Sequence, residues 1–225
     1  MVGVLRKHLT AHRICDLIAV WALAAVAIAA AFGWLPAIDT RIIVWIQSLT
    51  FLDSFMRAVT HGGDTVTMIS VTAVVSVVMY FLTKRKRPAA ALWLNVGIAY
   101  LINFAAKTSF ARSRPTFSTV FLDPRSYSFP SGHAMVSTAV YGLSAYLLAK
   151  TLPRCGTAIR IIASVLVFII GISRMYLDAH WPSDVLAGFA AGWLLASGMM
   201  RWYGKDGKRE EGAGDRLRRR GGQGQ

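Results

Sequence analysis

The sequence predicts an all-α polytopic membrane protein with six transmembrane helices. Three observations carry that prediction. Of the 225 residues, 55% are hydrophobic and only 16% charged, whereas a soluble domain holds roughly 45–50% apolar and about 25% charged residues. The apolar residues collect in runs of the length that crosses a bilayer core, about 20 residues. The basic residues lie between those runs. Mean hydropathy is positive, at +0.47, which excludes a disordered chain, and two cysteines exclude a disulfide scaffold. A net charge of +14 and a pI near 10.5 would suit a soluble nucleic-acid binder. The placement of the charge removes that reading, so no nucleic-acid partner is expected.

The runs can be taken in order. Leu17 to Ile38 is the first, too long and too bulky around Phe32-Gly33-Trp34-Leu35-Pro36 for a cleaved signal peptide. Thr65 to Thr83 and Pro88 to Ala106 follow. Ser126 to Ala149 is the fourth, beginning in turn-like residues. Gly156 to Ser173 is the fifth, with Arg160 near one end where its long side chain can snorkel. Val185 to Met200 is the sixth. Between the first two, Ile42, Trp45, Ile46 and Leu49 recur at helical spacing in a stretch too short to span, which predicts a helix lying in the interface.

Charge then sets the orientation. With a cytoplasmic N-terminus, 18 of the 25 Lys and Arg fall inside and 7 outside, the positive-inside bias of a plasma (inner) membrane protein with both termini cytoplasmic. Cys15 and Cys155 then face the cytoplasm, where no disulfide forms. Residues 1–203 form one membrane domain. Residues 204–225 are a Gly-rich basic tail without apolar periodicity, expected to be disordered and to touch anionic lipid. Gly188 and Gly192 form a small-xxx-small pair suited to packing within the chain, and the oligomeric state is left open.

Three polar segments share the outer face. Lys107 to Pro115 closes the third run, Pro130-Ser131-Gly132-His133 opens the fourth, and Ser173 to Asp184 joins the fifth to the sixth. A chain entering a helix through Ser131 and Gly132 leaves outward N–H groups that suit an anion. Lys107, Arg114 and Arg174 add positive charge, and the guanidinium forks match phosphate oxygens. His180 and Asp184 lie four apart, so the carboxylate can fix one imidazole nitrogen and leave the other to attack. His133 is a second imidazole, placed to protonate a leaving oxygen. His8 and His12 have helical spacing but no third ligand, and His61-Gly62-Gly63-Asp64 reads as a turn and cap. Only two Glu are present, both in the tail, and no His/Cys cluster offers a metal site. No metal or cofactor is therefore expected.

Lys107-x6-Arg114-Pro115, Pro130-Ser-Gly-His133 and Ser173-Arg174-x5-His180-x3-Asp184 together resemble the three-part signature of the type 2 phosphatidic acid phosphatase (PAP2) superfamily, in its integral-membrane lipid phosphatase branch. The resemblance covers residues 65–200, specifies the superfamily closely and the substrate poorly. It implies that His180 is a nucleophile forming a phosphohistidine, that Asp184 orients it, and that His133 is the general acid. It also implies that Lys107, Arg114, Ser131, Gly132 and Arg174 clamp phosphate. The implied activity is metal-independent hydrolysis of a membrane lipid phosphate or diphosphate, of the undecaprenyl diphosphate, phosphatidate, phosphatidylglycerol phosphate or lipid A phosphate type. Arg112 and Arg125 add basic residues that mildly favour a diphosphate. A lipid phosphotransferase using the same nucleophile is the alternative. A small transporter or flippase would need polar features near the midplane, where only Asn95 and Asn103 stand out, the latter one turn from Lys107.

Overall fold

A computed structural model of the protein describes residues 2–115 and 127–221, with side chains described over 13–115 and 127–204. Among the described residues there are eight α-helices and no strand. They are α1 (Val2–Ala31), α2 (Pro36–Gln47), α3 (Asp53–Thr60), α4 (Thr65–Thr83), α5 (Arg87–Phe110), α6 (Gly132–Thr151), α7 (Gly156–Tyr176) and α8 (Pro182–Gly221), with 3-10 turns at Thr50–Leu52 and His61–Gly63. Helix is the physical consequence of apolar composition in lipid, where backbone N–H and C=O groups find no water and must pair within the segment.

Local chemistry sets the boundaries. The first apolar run is not one helix to Ile38, as the sequence predicts, because the chain turns at Gly33 with φ +69° and Pro36 restarts it as α2. Glycine tolerates the left-handed turn and proline is pre-formed for a first helical turn. Left-handed residues also end α4 at Lys84 and α5 at Ala111. The backbone of α8 stays helical to Gly221, past the span and through most of the tail for which the sequence predicts disorder. Extension of an existing helix adds one bond per residue without a new nucleation cost.

Five segments are long and apolar enough to cross a membrane: Arg13–Ala31, Thr65–Thr83, Arg87–Phe110, Gly156–Tyr176 and Pro182–Gly204. The sixth predicted span, α6, has the length to do so, with 20 residues at 1.5 Å each giving about 30 Å. It stands in the middle, packed by α4, α5, α7 and α8. Ser137 and Ser144 are buried along it, and a helix walled in by helices needs no lipid-soluble face. Asn95 on α5 donates to the Ala139 carbonyl of α6 at 2.8 Å, a packing bond between spans. Lipid-facing residues such as Trp21, Leu101, Phe104 and Ile162 are exposed.

The spans alternate, so the ends of α1, α5 and α7 and the starts of α4, α6 and α8 meet at one end of the bundle. α2 and α3 cover that end. Gln47 Nε2 donates to the Tyr176 carbonyl at 3.4 Å, the Tyr176 hydroxyl donates to the Leu49 carbonyl at 3.3 Å, and Ile46, Met56 and Tyr176 share a small core. The α2–α3 segment, bent by 72° between Pro36–Gln47 and Thr50–Gly63, both leaves and rejoins the bundle at this end. Its register differs from the one the sequence predicts: Ile43 and Ile46 point inward with Asp39, while Trp45 is exposed.

The backbones of α8 and α6 approach closely at two glycines. A Cβ on Gly188 would sit 2.7 Å from the Ser131 carbonyl oxygen, and one on Gly192 only 2.3 Å from that of Met135. Without a hydrophobic force between helices in lipid, such close backbone approach is a main source of association. Gly192→Leu should therefore lower the thermal unfolding midpoint in detergent, by the roughly 1–3 kcal/mol typical of overpacking. Gly198, which has nothing within 4 Å of its would-be Cβ, should accept Ala with no loss. Equal behaviour of the two variants in a melting experiment would count against this packing.

Candidate active site

At the covered end of the bundle, the three predicted polar segments converge. The segment after α7 turns through Asp178, which has φ +57°, and delivers His180 ahead of α8. His180 is 3% exposed. Its Nδ1 lies 3.7 Å from Asp184 Oδ2 and 3.5 Å from Ser128 Oγ, while its Nε2 faces Arg114 Nη1 at 3.3 Å. The Ser128 hydroxyl also hydrogen-bonds Asp184 Oδ2. The carboxylate thus acts on the ring at ion-pair range with the serine beside it, rather than by a direct hydrogen bond. These partners assign the proton to Nδ1 and leave the Nε2 lone pair toward Arg114. Burial pushes the His180 pKa down to about 3 against the opposing pull of Asp184, so the ring is neutral at physiological pH.

Asp184 is completely buried. Arg112 Nη1 donates to its Oδ1 at 2.6 Å and the Trp181 N–H to its Oδ2 at 2.9 Å. The other arm of the same guanidinium, Nη2, reaches Asp39 Oδ2 on α2 at 2.8 Å. Asp39 in turn accepts from the Ser183 N–H at 3.0 Å and from its hydroxyl at 2.6 Å. Arg112 also lies over the Trp181 ring, 5.5 Å from its centroid. This corrects the suggestion that Arg112 favours a diphosphate, because its charge is taken up by two buried carboxylates. Arg125, the other residue behind that suggestion, lies outside the described residues.

Arg114 stands at the Nε2 side, and the remaining signature residues lie at the same end of the bundle. Arg114 donates to the Ala179 carbonyl at 2.6 Å. Arg174 Nη1 donates to Thr60 Oγ1 at 2.7 Å, but its Nε is buried with no hydrogen-bond partner among the described residues. An unpaired buried donor costs about 1–3 kcal/mol, which an anionic oxygen would relieve. Lys107 Nζ donates to the Tyr127 carbonyl at 2.5 Å. Ser131 is fully buried and caps α6 by accepting from the Ala134 N–H at 3.4 Å, while its own N–H donates to the Asp184 carbonyl at 3.0 Å. Asn103 steadies the same turn by donating to the Pro130 carbonyl at 3.2 Å. Gly132 opens α6, and His133 follows it with Nε2 3.0 Å from Asp64 Oδ1. Among the described residues no group of three or more His, Cys, Asp or Glu sits at metal-holding distance.

All eight predicted site residues therefore gather at one end. Sequence reasoning misses Asp39, Ser128 and the use of Arg112. A lone acid in the apolar stretch Ala37-Ile38-Asp39 is the available signal for Asp39, because buried carboxylates are paired. His61 and Asp64 do form the predicted turn and cap position, yet their side chains belong to the site. His8 and His12 lie in α1 with side chains outside the described residues.

The fold and site define a polytopic helical membrane protein with a histidine-bearing basic site at one end of its bundle. A family model of the PAP2 superfamily matches residues 88–208, and the chain belongs to that superfamily. It is 37% identical over 149 residues to phosphatidylglycerophosphatase B of Bacillus subtilis, covering 64% of this chain and 72% of the relative. Undecaprenyl-diphosphatase of Sulfolobus acidocaldarius is 31% identical over 156 residues, 67% of this chain and 68% of that one. The crystal structure of a transmembrane PAP2 type phosphatidylglycerolphosphate phosphatase from Bacillus subtilis superposes with a TM-score of 0.76 at 31% identity, over 83% of this chain and 96% of that one. LpxE of Aquifex aeolicus shares the fold, with a TM-score of 0.55 at 24% identity over 72% of this chain and 94% of its own.

Two outcomes follow from this geometry. Arg112→Met strands two buried carboxylates and should cost about 3–5 kcal/mol, the usual effect of breaking one side of a buried ion pair, seen as a large drop in the denaturation midpoint. His180 takes up a proton near pH 6.5 when unfolded but only near pH 3 when folded. Its contribution to stability is therefore complete above pH 6.5 and is lost as pH falls toward 3. The melting temperature of the wild type should decline more steeply over that range than that of His180→Gln.

Proposed function

We propose that the protein is a metal-independent phosphatase that hydrolyses a membrane lipid phosphate or diphosphate through a phosphohistidine on His180. The observation that carries the reading is the orientation of His180, with Nδ1 against Asp184 and Ser128 and Nε2 open toward Arg114. A neutral imidazole so held is a competent nucleophile beside positive charge. Lys107, Arg114, Arg174 and the N–H groups at Gly132 would bind the non-bridging oxygens and stabilise charge developing on them. His180 Nε2 attacks phosphorus, His133 protonates the departing oxygen, and water then cleaves the P–N bond to release phosphate. Asp184 keeps the ring's tautomer and supports its positive charge in the intermediate.

Substrate class is supported by the relatives, whose names specify phosphatidylglycerophosphate and undecaprenyl diphosphate. Both are anionic headgroups on chains that stay in the bilayer, as a site at the end of a helix bundle requires. The charge asymmetry of the sequence supports an integral plasma membrane location, cytoplasmic termini and an extracytoplasmic site. The start of α1 and the far end of the α8 span do lie at the end opposite the site.

The test is turnover of purified enzyme on phosphatidylglycerol phosphate, undecaprenyl diphosphate and phosphatidate side by side. His180→Gln should reduce turnover by at least about 10⁴-fold, as loss of a nucleophile does, and remove the base-stable, acid-labile label that a radioactive phosphate donor leaves on the wild type. Free phosphate should equal lipid consumed; a deficit would mean transfer to another acceptor. Activity abolished by chelator and restored by a divalent cation would contradict the mechanism, as would near-normal activity of His180→Gln.

A further inference from the structure

The turn before α4 contributes a charged contact to the site that the three-part signature does not contain. Asp64 occupies the N-cap of α4, yet its side chain makes no capping bond. Both carboxylate oxygens are turned to imidazoles instead: Oδ1 lies 3.0 Å from His133 Nε2 and Oδ2 lies 2.7 Å from His61 Nδ1. An aspartate at this position ordinarily accepts from the first free N–H groups of its helix, so the diversion calls for a reason.

The surroundings hold the pair together. A Cβ on Gly63 would sit 2.7 Å from His133 Cδ2, so the turn's backbone presses on the imidazole and only glycine fits. The Tyr141 hydroxyl of α6 donates to the Gly62 carbonyl at 2.9 Å, and Thr67 Oγ1 donates to the His61 carbonyl at 2.7 Å. The turn is thus tied both to α4 and to the helix that carries His133. His61 itself has a side chain 73% exposed, so the chain of contacts runs from His133 through Asp64 to solvent. Partial burial pushes the Asp64 pKa up, but hydrogen bonds and charge from His61 and His133 together keep it below its ordinary value.

We infer that Asp64 is a positioning residue for the general acid, holding His133 by Nε2–H so that Nδ1–H is presented to the leaving oxygen, with His61 fixing the carboxylate from the solvent side. The inference rests on the reading of His133 as the acid. As the bond from phosphorus to the leaving oxygen breaks, the Nδ1 proton passes to that oxygen and the ring becomes neutral. When water attacks the phosphohistidine, its proton returns to Nδ1 and the P–N bond electrons return to His180. Asp64 stays a carboxylate in both steps, offsetting the positive charge that His133 must carry beside Arg174 and Arg114.

The test separates proton delivery from folding by the leaving group. p-Nitrophenolate departs without a proton, whereas an alkoxide does not. Wild type, Asp64→Asn and His133→Asn are compared by the single-turnover rate of phosphoenzyme formation from p-nitrophenyl phosphate and from a short-chain alkyl phosphate, because the later attack by water uses His133 whatever the leaving group. Asp64→Asn should slow phosphoenzyme formation from the alkyl phosphate by about 10- to 100-fold, below the 10²–10⁴ of a general acid itself. Half-saturation should be unchanged and phosphoenzyme formation from p-nitrophenyl phosphate nearly normal. His133→Asn should show the same selectivity more strongly, and the double variant should be no worse than His133→Asn. Equal loss on both substrates by Asp64→Asn, or no loss on either, would overturn the inference if His133→Asn remains selective. A non-selective His133→Asn would instead overturn the acid role on which it rests.

Discussion

The site depends on a carboxylate buried out of reach of water. Asp184 has no exposed surface, and an unpaired charge in that position would be too costly to keep. Its oxygens are met by the Arg112 guanidinium, the Trp181 N–H and the Ser128 hydroxyl. Each of these partners comes from a different side: the stretch of chain after α5, the turn into α8, and the residues leading into α6. Satisfying one carboxylate therefore draws together the three segments that carry the signature. The same guanidinium continues to Asp39, which fixes helix α2 as the cover of the site. A buried ion pair of this kind is weak evidence for stability and better evidence for geometry.

The bilayer imposes the second constraint. Helices that must satisfy their own backbone cannot bring functional loops into the hydrocarbon, so chemistry collects where helices begin and end. Helix beginnings offer N–H groups and endings offer loops, and alternation of six spans supplies three of each at one end. The ends of α5 and α7 bring Lys107, Arg114 and Arg174, while the starts of α6 and α8 bring His133 and Asp184. Close crossing of α8 on α6 at Gly188 and Gly192 then fixes the distance between the two helix starts. Packing deep in the membrane and geometry at its edge are thus the same contact.

Much of this is legible in the sequence. The signature residues carry their own chemistry, and their order along alternating spans places them at one end. The helices are legible because apolar run length has a single interpretation in a chain so poor in charge. Run length overextends the first span because it ignores backbone conformation at Gly33 and Pro36. Arg112, Asp39 and Asp64 escape sequence reasoning for another reason. An Arg at a helix end, an acid in an apolar stretch and an Asp at a cap all have ordinary local uses, and nothing local says that a distant side chain will claim them. Asp64 and His133 are 69 positions apart, and Arg112 and Asp39 are 73.

The sequence by itself determined the spans apart from where the first one ends, the end at which polar groups meet, and the residue types that could handle phosphate. Those depend on composition, periodicity and intrinsic side-chain chemistry, which are properties of short segments. Only the tertiary structure decided which nitrogen of His180 is open, which guanidinium is committed to buried carboxylates, and which acid faces His133. Those depend on pairing between segments far apart in the chain, where the cost of burying a charge alone selects one partner among several that sequence permits.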